Sequence, residues 1–319
     1  MTSPPNVEPL RQKVHGPQRT LMKRLLGQFH VTGTFWYRWH YWATWYPNWF
    51  IATMVWLHTW FFWAVLLKIR AAVSSNLDVA IGRCGWFERQ RRVWRTFNEF
   101  AWCHTERYEQ FRPNKTFRFD FAGDDTYEIM KNTRRGFVFF TAHFGNWEMG
   151  PLTDALPGGR KFHVVREPEM SEGAQAFVQE LFDKHPQRDQ FVVHYAGADM
   201  ALGAKLLMAL RKGDVIGMPG DRPRTGMETI EAEMFGRPID LPPGPVALAR
   251  AAGALMVPVF VFREGRRHYR VELWEPIEVG RGDDKEADIR AGVDAMAKAC
   301  EQAIRRRPHH WFCWRKLWP

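Results

Sequence analysis

Nineteen consecutive residues without a formal charge, Trp49–Leu67 (WFIATMVWLHTWFFWAVLL), constrain this chain more than any other segment. As a helix the run would be roughly 28 Å long, about the thickness of a bilayer's hydrocarbon core. Pro47 stands just before it, where a helix can begin, and Lys68 and Arg70 close it. Thr53, His58 and Thr59 make it polar enough to lie in the interface or to be a core helix, so length alone leaves these seats open. With about 48 residues before it and no small-residue cleavage site after it, it is not a signal peptide.

Its surroundings favour a lipid surface. Residues 1–70 hold eight basic residues (Arg11, Lys13, Arg19, Lys23, Arg24, Arg38, Lys68, Arg70) and one acid, Glu8, which is seven of the chain's formal +10. Eight of the 16 Trp lie there too, at positions 36, 39, 42, 45, 49, 56, 60 and 63. Indole is amphipathic and sits well at a membrane interface. Base stacking on a nucleic acid would need a groove in a polar fold rather than an apolar helix, so no nucleic acid is expected. Between residues 29 and 48 only Arg38 is basic, whereas Lys68, Arg70 and Arg83 follow the apolar run. The positive-inside rule then keeps the larger C-terminal part on the cytoplasmic face of the membrane. Cys84, Cys103, Cys300 and Cys313 have no C-x-x-C spacing and read as free thiols of a reducing compartment.

Beyond residue 70 the pattern changes. The 45% apolar fraction of the 319 residues excludes a disordered chain, and the mean hydropathy of −0.40 excludes a polytopic membrane protein. Residues 71–112 carry helical periodicity and the basic run FERQRRVWRTF. Short apolar runs then predict strands at Phe137–Thr141, Phe162–Arg166, Phe191–Tyr195, Val215–Pro219, Leu255–Phe262 and Tyr269–Trp274. Helices are predicted between them at Trp147–Ala155, Glu172–Lys184, Asp199–Arg211, Pro245–Ala252 and Lys285–Arg306. This alternation implies an α/β fold with a mixed, mainly parallel central sheet flanked by helices. The chain divides into an N-terminal region, 1–70, with one membrane-associated helix at about 49–67, and a domain over 71–319. Chemistry is expected beyond the carboxyl ends of the strands.

Several toolkits are missing. The four serines, Ser3, Ser74, Ser75 and Ser171, lie outside any G-x-S-x-G, and Ser171 reads as a cap for the helix at Glu172. No dinucleotide fingerprint, P-loop or H-E-x-x-H occurs, and no cofactor or metal is implied. Cys84 in GRCGW reads as an idle thiol.

What remains is imidazole with a carboxylate five residues on. TAHFGNWE puts His143 at the end of the FVFFT strand and Glu148 in the next helix. Such a pair is a general base that can deprotonate a hydroxyl for direct attack on a thioester, with no protein nucleophile. The spacing recurs at His104/Glu109 and His194/Asp199. His104 lies in a strand-free helical stretch and reads as a helix face. His194 follows FVVHY and is a closer rival, but YAGAD offers no Asn or aromatic packing group. His143 has Gly145, which lets backbone approach a ligand, and Asn146, which can hold a carbonyl or hydroxyl.

FTAHFGNWE after an apolar strand resembles the lipid A late acyltransferases, the lauroyl/myristoyl enzymes of the wider lysophospholipid acyltransferase group. SSNLDVAIGRCGWFERQRR, VVREPEM, LRKGDVIGMPGDRPRTG, LARAAGALMVPVFVFREGRRHYRVEL and IRRRPHHWFCWRKLW are each similar to segments of that family. The resemblance covers most of the chain. It implies an inner-membrane enzyme moving an acyl chain from acyl carrier protein or acyl-CoA to a hydroxyl of a glycolipid acceptor, without a covalent intermediate. His143 would be the base and Glu148 its partner. Arg166 would bind a substrate phosphate or stabilise the oxyanion, Asn146 would position the acceptor or the base, and Asp221 and Arg222 would lie at the substrate. The long Trp-rich N-terminus, LPPGPVALA, and His310 where the family usually has Gln depart from the lipid A enzymes. They leave another glycolipid or an amino-alcohol lipid open as acceptor. Glu148 rather than Asp sets the chain apart from the related mannoside acyltransferases. Basic residues at 89–95 and 305–307 suit an acidic carrier protein and an anionic membrane surface. Two other readings are a lipid-binding protein that lost turnover and a thioesterase-like hydrolase using His194 and Asp199 on water.

Overall fold

The computed structural model describes residues 34–152, 156–169, 171–184, 188–196, 201–223 and 226–318. The basic residues of 1–33, together with Ala155 and Asp199, lie outside them.

Five short strands run parallel in the middle of the molecule. They are β2 (Phe137–Thr141), β3 (Phe162–Arg166), β4 (Phe191–Tyr195), β5 (Val215–Pro219) and β8 (Leu255–Gly265). β1 (Arg118–Ala122) and β9 (His268–Leu273) complete one side, and the sheet order is β1-β9-β8-β2-β5-β3-β4. β9 is antiparallel to β8 and parallel to β1, so the sheet is mixed but mainly parallel, as the alternation of strand and helix implies. All five residues of β2, FVFFT, are buried. Such a run does not alternate because both faces are covered. Val138, Phe140, Ile216 and Met256 face α7 (Leu202–Arg211), α8 (Gly244–Ala252) and α9 (Lys285–Arg306). Phe137, Phe139, Val215 and Val257 pack with Met130 of α5 (Asp124–Asn132) on the other side.

The predicted strands and most predicted helices stand within one to three residues of their observed bounds. Ser171 caps α6 (Glu172–Asp183) by accepting from the Ala174 amide at 3.2 Å. The expected helix at Trp147–Ala155 is instead a 3₁₀ segment over Trp147–Leu152. β1, α5 and the hairpin β6 (Ile230–Met234)–β7 (Arg237–Leu241) are additional to the sequence reading. IEAEM in β6 has clean alternation, and the hairpin turns at Phe235 and Gly236, both with positive φ. RFDFA in β1 is a charged edge strand with too little apolar length to stand out.

The N-terminal apolar run is not one straight helix. α1 (Thr34–Ala43) precedes α2 (Asn48–Val65), the chain breaks at Leu66, and α3 (Leu67–Ile81) leaves at 93°. No single helix among the described residues is long and apolar enough to cross a membrane; the bent pair passes that test only jointly. Position 70, taken as the end of the N-terminal region, falls inside α3.

α4 (Trp86–Glu109) links these helices to the sheet through buried charge. Arg263 pairs with Glu99 and Glu106, each at 3.2 Å, and Arg266 pairs with Glu106 at 3.0 Å and with Glu109. Tyr269 donates its hydroxyl to Glu106, and the Arg267 amide donates to the same carboxylate at 2.9 Å. Removing the Glu106 carboxylate takes one partner from each guanidinium, leaving Glu99 on Arg263 and Glu109 on Arg266, and leaves the buried Tyr269 hydroxyl without its acceptor. Glu106→Ala should therefore destabilise the fold by about 3–5 kcal/mol, read as a lower midpoint in chemical denaturation.

Candidate functional site

The carboxyl ends of β2 and β5 are neighbours, since Thr141 pairs with Pro219. His143 stands two residues past β2 and Asp221 two past β5. His143 Nδ1 lies 2.6 Å from Asp221 Oδ1. Asp221 is fully buried, and its other oxygen accepts from Trp311 Nε1 at 3.0 Å. Burial alone would raise the Asp221 carboxyl; the His143 charge and hydrogen bond, Arg222 and the Trp311 donor outweigh it and hold it well below the usual carboxylate range. An ionised carboxylate only accepts, so Nδ1 carries the proton and Nε2 is left as the basic nitrogen. The imidazole is about a quarter exposed, enough to meet a substrate.

The loop after His143 is fixed by backbone. The Gly145 amide donates to His310 O and the Phe312 amide donates to His143 O, both at 2.8 Å. Gly145 has φ +56, and a Cβ there would lie 1.9 Å from Val261 O. Only glycine fits such an approach. Burial pushes His310 down to about 3, so it is held neutral inside the clamp.

Glu148 is not the group on the His143 ring. The turn at Gly145 and the 3₁₀ start send it to Arg107 at 2.5 Å and Arg166 at 3.4 Å. Burial raises its carboxyl, but the charges of Arg107 and Arg166, the Arg107 hydrogen bond and the His143 charge lower it further than burial raises it. Arg166 is shared with Glu169 at 3.3 Å, and Glu169 accepts from the Tyr37 hydroxyl of α1. The structure thus assembles two adjoining groups, His143–Asp221–Trp311 and Arg107–Glu148–Arg166.

The other expected residues sit differently. Asn146 is buried, and its amide donates to Cys103 O and Tyr269 Oη at 3.1 Å each, so it fastens the loop to α4 and β9 rather than meeting an acceptor. Arg222 donates to Phe312 O at 2.9 Å and holds the C-terminal segment. Among the rival histidines, His104 packs edge-on against His40 at 4.8 Å, while its expected partner Glu109 is taken by Arg266. His194 lies 2.9 Å from His163 Nδ1, on the edge pair β3–β4.

Arg107 and Trp311 were not singled out from sequence as site residues. Trp311 lies in the quoted IRRRPHHWFCWRKLW ending, which was the available signal; Arg107 lies one turn below the rival His104 and had none. Beside the dyad, Thr141 and Trp147 open onto an apolar cavity of about 50 Å³, with Phe139, Phe162, Gly217 and Val259 in its wall. The Trp147 indole meets the His143 ring edge-on at 5.9 Å between centroids.

Residues 30–319 match the family described as bacterial lipid A biosynthesis acyltransferase. The chain belongs to that family. Its relatives include phosphatidylinositol mannoside acyltransferases from two strains of Mycobacterium tuberculosis, each 26% identical over 185 residues. The matched stretch covers 57% of this chain and 54% of either relative, so the chain spans about half the length of the curated relatives it matches.

Trp311→Phe keeps most of the ring but removes the donor on the buried Asp221 oxygen. It should cost about 1–3 kcal/mol in a denaturant titration, as a buried acceptor left unpaired does.

Proposed function

We propose that this chain transfers a fatty acyl group from a thioester donor, acyl carrier protein or acyl-CoA, to a hydroxyl of a lipid A-type glycolipid at the cytoplasmic face of the bacterial inner membrane. The observation that carries the reading is the His143–Asp221 pair, with Nε2 unencumbered beside an apolar cavity.

Nε2 takes the proton from the acceptor hydroxyl as its oxygen bonds to the thioester carbon. The tetrahedral intermediate collapses, the C–S bond breaks, and the leaving thiolate takes the proton back from the imidazolium. Asp221 holds the ring in the right tautomer and stabilises the cation. Glu148, kept ionised by Arg107 and Arg166, ties the 3₁₀ segment after His143 to α4 and β3. Arg166, Asn146 and Arg222 act as positioning residues, because each is engaged by protein partners. The cavity under Trp147, whose lining is almost wholly apolar, has room for only the end of the donor's chain. A mannoside lipid is the second reading for the acceptor, and the names of the curated relatives favour it.

The test is mass spectrometry of membrane lipid extract incubated with protein and a medium-chain donor. A lipid gaining one acyl mass with wild type only supports the transferase, and its fragmentation names the acceptor. His143→Ala and Asp221→Asn should each lower kcat on the order of 10²–10⁴-fold, since the positioned base and its orienting carboxylate are lost. Equal gain with wild type and His143→Ala would remove His143 as the base.

Gly217 reads chain length in this scheme. A Cβ there would lie 2.5 Å from the Phe162 ring, and since both residues line the cavity the added methyl takes up part of its space. Gly217→Ala should shift donor preference toward shorter chains, measured as the kcat/KM ratio across a series of acyl-CoA lengths.

A further inference from the structure

α2 does not stand alone, since α4 runs beside it. Asn98 donates to Thr59 Oγ1 at 3.3 Å, and Trp60 meets Trp94 at 5.5 Å between centroids. Ile51, Val55 and Thr59 form the buried face. Both ends of α2 are tied to the domain as well. Arg267 donates to Asn48 Oδ1 at 2.6 Å, and the 93° turn at Leu66 leads into α3, which buries Val73 and Leu77. α4 carries Glu88, Arg89, Arg91, Arg92 and Arg95, about two turns of charge that would have to follow α2 into hydrocarbon. The outer face of α2 is the opposite of charged: Trp49, Trp56, Leu57, Trp60, Phe61 and Val65 are all exposed.

A second exposed aromatic group begins α4. Trp86 is 65% exposed and Phe87 83% exposed, packed edge-on at 4.9 Å on the turn after Gly82. Arg83, Arg91 and Arg95 around it are exposed too. Large apolar rings ringed by cations suit a surface that is apolar below and anionic above.

We infer that α2 lies in the plane of an anionic bilayer rather than across it, and that Trp86–Phe87 is a second insertion point whose neighbouring arginines meet lipid phosphates. The inference rests on the proposed function only for choosing a bilayer as partner, and its test needs no turnover.

Full-length protein is floated with preformed vesicles of phosphatidylcholine alone or mixed 7:3 with phosphatidylglycerol. Wild type should partition onto the anionic vesicles, and Trp86→Ser/Phe87→Ser should lose that partition about tenfold or more. Arg91→Gln/Arg95→Gln should weaken anionic binding by about tenfold and leave binding to neutral vesicles unchanged. Circular dichroism confirms that the variants fold. Flotation of Trp86→Ser/Phe87→Ser equal to wild type overturns the second insertion point, as does a variant that changes only the oligomer size, which would assign the tip to a second copy. The seat of α2 is read with Trp49→Cys and Val65→Cys, each in a Cys84→Ser background, where the remaining thiols, Cys103, Cys300 and Cys313, are buried. A membrane-impermeant maleimide added outside sealed vesicles should label both positions alike. Labelling at one end and full protection at the other would mean that α2 spans, and would overturn the inference.

Discussion

A buried carboxylate organises this site. Asp221 is fully buried from bulk solvent, so its charge must be matched by donors from the protein. His143 and Trp311 supply them, from the end of β2 and from the C-terminal segment. Satisfying one ion thus joins three distant stretches of chain. The same demand fixes the imidazole tautomer, which makes the stabilising contact and the reactive nitrogen two ends of one ring. The Gly145 and Phe312 backbone bonds then hold the clamp in register.

A second charge system supports the first from outside the sheet. Arg107 belongs to α4, Arg166 ends β3, and Tyr37 reaches Glu169 from α1. The carboxylate of Glu148 is therefore set by helices that also carry the exposed aromatics. Immediately before Arg107 in the chain, Glu106 anchors α4 to β8 and β9. α4 is consequently the common frame of the apolar layer, the sheet and the site.

The central sheet was legible because β2, β5 and β8 are short apolar runs spaced by amphipathic helices. The position of His143 was legible for the same reason, since a strand end is where parallel sheets place chemistry. Its partner was not. Glu148 is five residues away in sequence, but the left-handed Gly145 turns the chain before a helix can form. Asp221 lies 78 residues away and becomes a neighbour only through the adjacency of β2 and β5. Strand order is a tertiary fact that periodicity does not carry. Asn146 and Arg222 were in the right loops, but which way a polar side chain turns depends on partners such as Tyr269 and Phe312. The apolar run at 49–67 was visible as a segment; its break at Leu66 follows from packing against the domain, not from the residue type at the break.

The long separations inside the dyad bear on the order of assembly. Closing loops of this size costs entropy that only the finished packing returns. Trp311 reaches Asp221 across 90 residues, and His143 reaches it across 78. A partly folded chain can carry helices and exposed tryptophans and still have no oriented base. On the proposed mechanism, the base is oriented only once the segment that carries Trp311 has docked.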